Sequence, residues 1–174
     1  MLSLASLAGW EQAVLASIAG ATGTLEERDG QVERSGLYGE YPAIVHAYIE
    51  LFSDPESALE AVKRAYFLVW RSAMAPPAES GIPPLPDGTI RIVIEELDAR
   101  ARRIPPDAEL QWMLARYHAL GPTVLELYGA TARLIETAKR GDADSWREVR
   151  FSGPAMKGRG QMGRYWSALA AGAP

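Results

Sequence analysis

Apolar residues recur at helical spacing along most of the chain. Over residues 4–19, Leu4, Leu7, Trp10, Val14, Leu15 and Ile18 mark an amphipathic helix that Gly20 and Gly23 bring to a stop. Residues 22–39 are polar and carry Gly23, Gly30, Gly36 and Gly39, so they read as a long loop with at most one helical turn near 24–29. The stretch from Tyr41 to Phe52 is different. Pro42 suits a first helical turn, and only His46 and Glu50, one turn apart, are strongly polar. A helix apolar on most sides is usually enclosed by others, which makes 41–52 the expected centre of the fold.

Ser53-Asp54-Pro55-Glu56 combines a cap, a proline and a first-turn acid, and so starts a helix that runs to about Met74. Leu59, Val62, Tyr66, Val69, Trp70 and Ala73 form its inward stripe. Glu56, Glu60, Lys63, Arg64 and Arg71 form its wet side, with Glu60 and Arg64 in the favourable i,i+4 order. Five prolines and two glycines then make 75–88 an exposed connector wrapped around one domain.

Residues 89–94 are ambiguous. Thr89-Ile90-Arg91-Ile92-Val93-Ile94 has the β-branched density of a strand. Ile90, Val93, Ile94, Leu97 and Ala101 fit the helical template better, and no partner strand is in sight, so the spacing predicts a helix over 89–103. Pro105-Pro106-Asp107 opens the next, with Leu110, Met113, Leu114 and Tyr117 inward and Gly121 at its end. Another follows from about Thr123 to Gly141, and 142–149 has room for a short one. Residues 150–163 hold Gly153, Pro154, Gly158, Gly160 and Gly163 and read as irregular, with Tyr165, Trp166 and Leu169 as a final docking turn. The expected architecture is all-α: a single domain over 1–174, a bundle of about six helices with a Pro-rich connecting loop, and a loosely packed, irregular Gly-rich tail over 150–174.

Composition agrees with one ordinary globular core: 174 residues, 48% hydrophobic and 23% charged. There is no cysteine, which rules out disulfides, thiolate metal sites and cysteine nucleophiles. The N-terminal apolar stretch lacks a basic start and is interrupted by Glu11, so it reads as neither a signal peptide nor a membrane span, and a cytoplasmic location is expected. Charge is unevenly placed. Residues 1–60 carry ten acids against Arg28 and Arg34, a net of −8 within a chain total of −4. No acid occurs after Val149, only Arg150, Lys157, Arg159 and Arg164. The plainest expectation is that this basic end packs on the acidic front, in the same chain or a partner subunit.

Few residues suggest chemistry. Gly158-Arg159-Gly160-Gln161-Met162-Gly163 spells the dinucleotide fingerprint, but no strand precedes it and too little chain follows for a βαβ unit. Lys157, Arg159 and Arg164 remain candidate anion contacts. His46 and Glu50, with His118 and with Tyr66, Trp70, Trp112 and Tyr117 as aromatic walls, are the candidate lining of a small-molecule, anion or metal pocket. Tyr38, Tyr41 and Tyr48 are further walls, and Arg64, Arg71 and Arg116 further anchors. A core role for these aromatics and a surface role for these arginines are the plainer alternatives. No nucleophile elbow is present, a di-metal bundle would repeat Glu-x-x-His pairs that are missing, and no cofactor is implied. An acidic pI near 5.3 disfavours nucleic acid. Binding to a protein partner or to a second copy of the chain is therefore the leading expectation, ahead of catalysis. A ligand pocket around His46 and Glu50 comes second, and phosphate or nucleic-acid contact by the basic tail third.

Overall fold

A computed structural model describes residues 2–103, 107–141 and 156–171. Among these residues the chain is all-helical, with two short 3-10 turns at Leu37–Gly39 and Leu51–Ser53, and contains no strand. No described helix is long and apolar enough to cross a membrane.

The first helix, α1 (Leu4–Ala19), is capped by the Ser3 hydroxyl, which accepts the Ser6 N–H. It buries Leu7, Glu11, Val14 and Ile18, a 4-3-4 stripe along one face. The expected loop beyond it is a helix instead, α2 (Leu25–Arg34). Its cause is local. Thr24 accepts the Glu27 N–H while the Glu27 carboxylate accepts the Thr24 N–H at 2.7 Å, a reciprocal capping box that outweighs a largely polar composition.

The next two helices exchange the places expected of them. Helix α3 (Glu40–Glu50) buries Tyr41, Ile44, Val45 and Tyr48 but turns Ala43, His46 and Glu50 to solvent, so it lies on the flank. Its apolar count was inflated by alanines, which tolerate water easily. The centre is α4 (Ala58–Met74), entered through a turn at Asp54–Ser57, with every residue from Ala61 to Trp70 buried. That run includes Lys63 and Arg64, only 4% and 6% exposed. Charges at such depth are tolerated only when paired, and carboxylates from two elements pair them here.

The Pro-rich connector is partly built into the core. It forms a single turn, α5 (Pro77–Ser80), then passes Gly81 at φ +74° and buries Ile82 and Leu85. Glycine suits that backbone angle, and a Cβ on Gly81 would stand 2.1 Å from the tip of the Ile18 side chain and have to displace it. The ambiguous stretch resolves as helix in α6 (Asp87–Ala101), with Ile90, Val93, Ile94 and Leu97 buried.

Helix α7 (Ala108–Leu120) is capped by Asp107, whose carboxylate accepts the Leu110 N–H at 2.8 Å. The single long helix expected over 123–141 is broken in two, α8 (Thr123–Leu127) and α9 (Ala132–Arg140). Gly129, at φ +85°, makes the break, and Thr131 caps the second half. The short helix expected over 142–149 and the prolines at 105 and 106 lie outside the described residues.

The tail expected to be irregular is a docked helix in its described part, α10 (Gly160–Ala170). It packs against α1 and α4, and α4 is further surrounded by α3, α6 and α7. The described residues thus form ten α-helices, α5 and α8 being single turns, rather than about six.

Candidate functional site

His46 and Glu50 do face each other, Nε2 to Oε1 at 3.9 Å, but their side chains are 73% and 52% exposed. They line no interior stripe, and the aromatic residues grouped with them lie elsewhere, inside the core. The pocket expected around His46 and Glu50 is therefore not assembled. Tyr66, Trp70, Trp112 and Tyr117 fill space against one another. Trp70 stacks on Tyr117 with ring centres 4.3 Å apart and planes 10° apart, Tyr66 tilts against Tyr117 at 5.3 Å, and Trp112 meets Trp166 edge-on at 5.0 Å. The Trp166 indole N–H donates to the Tyr117 hydroxyl at 2.8 Å, which sews α10 to α7. His118 is buried beside this cluster. Its Nδ1 and the Trp70 indole nitrogen have no hydrogen-bond partner among the described residues.

The charged residues build something the sequence did not suggest. Arg159, 8% exposed, presents a fork to Glu60: Nε donates to Oε1 at 2.6 Å and Nη2 to Oε2 at 2.5 Å. Its Nη1 lies 2.5 Å from Glu109 Oε1. Glu60 also accepts from Arg64 Nε at 2.7 Å, and Arg64 Nη1 reaches the Leu4 carbonyl at 3.0 Å. Lys63 Nζ bridges Glu109 and Asp107 at 2.9 and 2.7 Å. Three cations and three carboxylates thus balance across α4, the start of α7 and the residue that opens α10. Burial alone would raise the Glu60 carboxyl, but Arg159 and Arg64 hold it below its ordinary value. Arg159 is accordingly a structural ion-pair centre rather than a free anion contact. The basic end does pack on the acidic front, within the same chain.

A fully buried carboxylate, Glu11, explains Gly160 of the 158–163 motif. It accepts the Tyr48 hydroxyl at 2.5 Å and the Gln161 backbone N–H at 2.7 Å. Helix α10 therefore begins on a carboxylate of its own chain, at the place where the dinucleotide fold sets a pyrophosphate. Gly160, at φ +59°, is what lets Glu11 approach, because a Cβ there would lie 2.4 Å from Oε1. A Cβ on Gly163 would lie 2.2 Å from the Met156 carbonyl. Burial pushes the Glu11 carboxyl above its usual range, against the two hydrogen bonds and Arg64 that pull it down.

Outside this cap runs an open groove of roughly 600 Å³ between α1 and α10. Gln12 stands on the α1 side. The other wall belongs to the C-terminal segment: Lys157, Gly158 and Gly160 near the start of α10, then Gly163, Arg164 and Ser167 along it, over Met156. Lys157 and Arg164 are exposed, and neither has a carboxylate within ion-pair distance among the described residues. They are the two members of the expected anion set that remain available. Among the described residues no group of three or more His, Asp or Glu side chains is placed to hold a metal.

Sequence reasoning missed Glu11, Glu60, Glu109 and Lys63 as the polar heart of the molecule. One signal was available: Glu11 occupies the buried stripe of α1, in step with Leu7, Val14 and Ile18. Comparison of the chain with known protein families, with curated proteins and with solved structures finds no match to any of them.

Proposed function

We propose that the chain acts by binding rather than catalysis, and that the groove between α1 and α10 takes a small anionic molecule bearing phosphate or carboxylate groups. One observation carries this reading: Lys157 and Arg164 face the same solvent-open groove with no carboxylate partner among the described residues, in a chain whose net charge is −4. The other described cation of the C-terminal segment, Arg159, is neutralised by Glu60 and Glu109, and the N-terminus of α10 is already met by Glu11. An incoming anion would have the two free side chains, the Ser167 hydroxyl and the Gln12 amide to engage. The binding would weaken with added salt, because both cations are exposed.

Titration with inorganic pyrophosphate at low ionic strength, followed by amide NMR shifts, tests the reading. Shifts centred on 157–158 and 164–167, lost in a K157A/R164A variant, are expected. No shifts in the wild type, or the same shifts in the double variant, would overturn it.

A second reading, association with a protein partner or another copy, draws on exposed apolar side chains where α4 and α7 end. Met74, at the end of α4, lies against Gly121 at the end of α7. Leu120 beside it is 41% exposed, and Leu127 in α8 is 69% exposed. Exposed apolar side chains at neighbouring helix ends, such as Met74 and Leu120, suit a contact surface. Light scattering over a concentration series should show self-association that M74K/L120K abolishes; a strict monomer throughout removes the self-association form of this reading.

A further inference from the structure

We infer that Arg159 is a positioning residue for the groove, so that anion binding and the docking of residues 156–170 onto α1 and α4 form a single equilibrium. The inference rests on the anion-groove reading and adds how that site is assembled and controlled. Among the described residues, the lining, including Lys157 and Arg164, comes from the C-terminal segment except for Gln12, which stands opposite. The groove therefore exists only while that segment is docked. What docks it at its first turn is the Arg159 fork on Glu60, supplemented by Glu109 and by the Glu11 carboxylate on the Gln161 N–H. The Arg159 guanidinium also lies over the Trp166 ring at 5.4 Å, which couples the fork to the aromatic seam one face of α10 makes with the core.

Arg159 itself contributes no attraction to a ligand in the groove. It is buried and bound by two carboxylates, and it is not part of the groove's lining. Its influence on affinity must run through the population of the docked state. A ligand that needs a docked segment binds with an apparent dissociation constant raised in proportion to the loss of that population. By reciprocity the ligand must tighten the docking.

This makes a prediction opposite in sign to simple electrostatics. Glu60→Gln moves the net charge from −4 to −3, which by charge alone would favour an anion. If Glu60 acts by holding Arg159, the same change weakens binding. Arg159→Lys keeps the charge but cannot form the two-pronged contact, and should weaken it as well.

The experiment is calorimetric titration of the full chain with pyrophosphate, at a temperature where circular dichroism shows each variant folded. It is paired with amide hydrogen exchange across α10. Both variants should bind at least about tenfold more weakly, as for a docked fraction reduced to about one tenth. In the wild type, pyrophosphate should slow exchange at the Gln161 amide, which lies outside the groove lining. Should either variant lose its helical spectrum, Glu109→Gln, which weakens one contact of Arg159 and one of Lys63 and spares the fork, takes its place with a smaller expected weakening. Wild-type affinity in R159K, or tighter binding in E60Q, would overturn the inference while leaving the groove reading intact. Absence of pyrophosphate binding in the wild type would remove both, whereas binding that K157A/R164A abolishes and R159K leaves unchanged would remove this inference alone.

Discussion

The Glu11 carboxylate receives the backbone N–H of Gln161 at 2.7 Å, across 150 positions of chain, so that the first helix caps the last. The same carboxylate takes the Tyr48 hydroxyl, which ties α3 into the junction. Burial raises the Glu11 carboxyl above its ordinary value of 4.5 despite these donors. A raised carboxyl contributes stability that is fully present below the unfolded-state value and is lost as pH rises through the folded one. Glu11→Gln removes that dependence while keeping one acceptor oxygen. The stability of the variant relative to wild type should therefore improve as pH rises above the ordinary carboxyl value of 4.5. Urea unfolding at a series of pH values measures the difference; a flat difference, or one that falls with pH, would show that Glu11 is not held as the structure implies.

Glu60 behaves in the opposite sense. Burial works to raise its carboxyl, yet the Arg159 fork and Arg64 bring it below 4.5. Its contribution is present above the unfolded-state value and is lost as pH falls through the folded one. Removing one partner of a buried pair costs about 3–5 kcal/mol, and Glu60 keeps a quarter of its side-chain exposure, so Glu60→Gln should cost toward the lower end. The loss should be largest near neutral pH and should shrink in acid, where wild-type Glu60 is protonated as well. An exposed control pair, Arg140 with Glu136 at 3.8 Å, should show almost no loss when Glu136 is changed to glutamine.

The contrast between what could be read in the chain and what could not has a physical basis. Periodicity recovered α1, α4, α6 and α7 because each carries its own stripe and stop signals. It chose helix for 89–94 because Ile90, Val93, Ile94 and Leu97 fall on one face, and all four are buried. It failed at α2, where a capping box rather than an apolar stripe makes the helix: the Thr24-x-x-Glu27 spacing was present and outweighed by the glycines around it. It placed α3 at the centre because apolar residues can be counted along a chain, whereas the pairing of Lys63 with Glu109, 46 positions away, cannot. Arg159 was singled out for its charge. Its burial depends on Glu60, 99 positions away, and no local pattern encodes that distance. The groove was legible only as its cations; the wall facing them is supplied by Gln12.

The glycines of the 158–163 motif should respond unequally to alanine. Gly158 sits at φ +78° with open space around it, so Gly158→Ala carries the left-handed backbone penalty alone, about 1–2 kcal/mol. Gly160→Ala adds a collision with the Glu11 carboxylate to a similar angle, and should cost clearly more. Thermal unfolding of the two variants checks the order. Equal losses would mean that the Glu11 contact is not close in solution, and a double variant with Glu11→Ala should narrow the gap by opening space for the new methyl.

Truncation gives the sharpest test of how the C-terminal segment is held. A loose basic tail could be removed with little effect on the rest of the molecule. The structure instead places Trp166 and Met162, both about 1% exposed, among the core side chains. It also makes Arg159 the partner of Glu60 and Glu109. A chain ending at position 155 would expose the face of Trp112 that meets Trp166, leave the Tyr117 hydroxyl without the indole N–H, and strand two part-buried carboxylates near Lys63 and Arg64. Loss of a buried aromatic alone costs about 3–5 kcal/mol, which is a large share of the stability of a domain this size. The truncated chain should therefore melt well below the full one or fail to unfold cooperatively, and should bind a hydrophobic dye that the full chain ignores. If the chain ending at 155 melts with the full one, α10 is not docked on α1 and α4, and the groove that depends on it does not exist in solution.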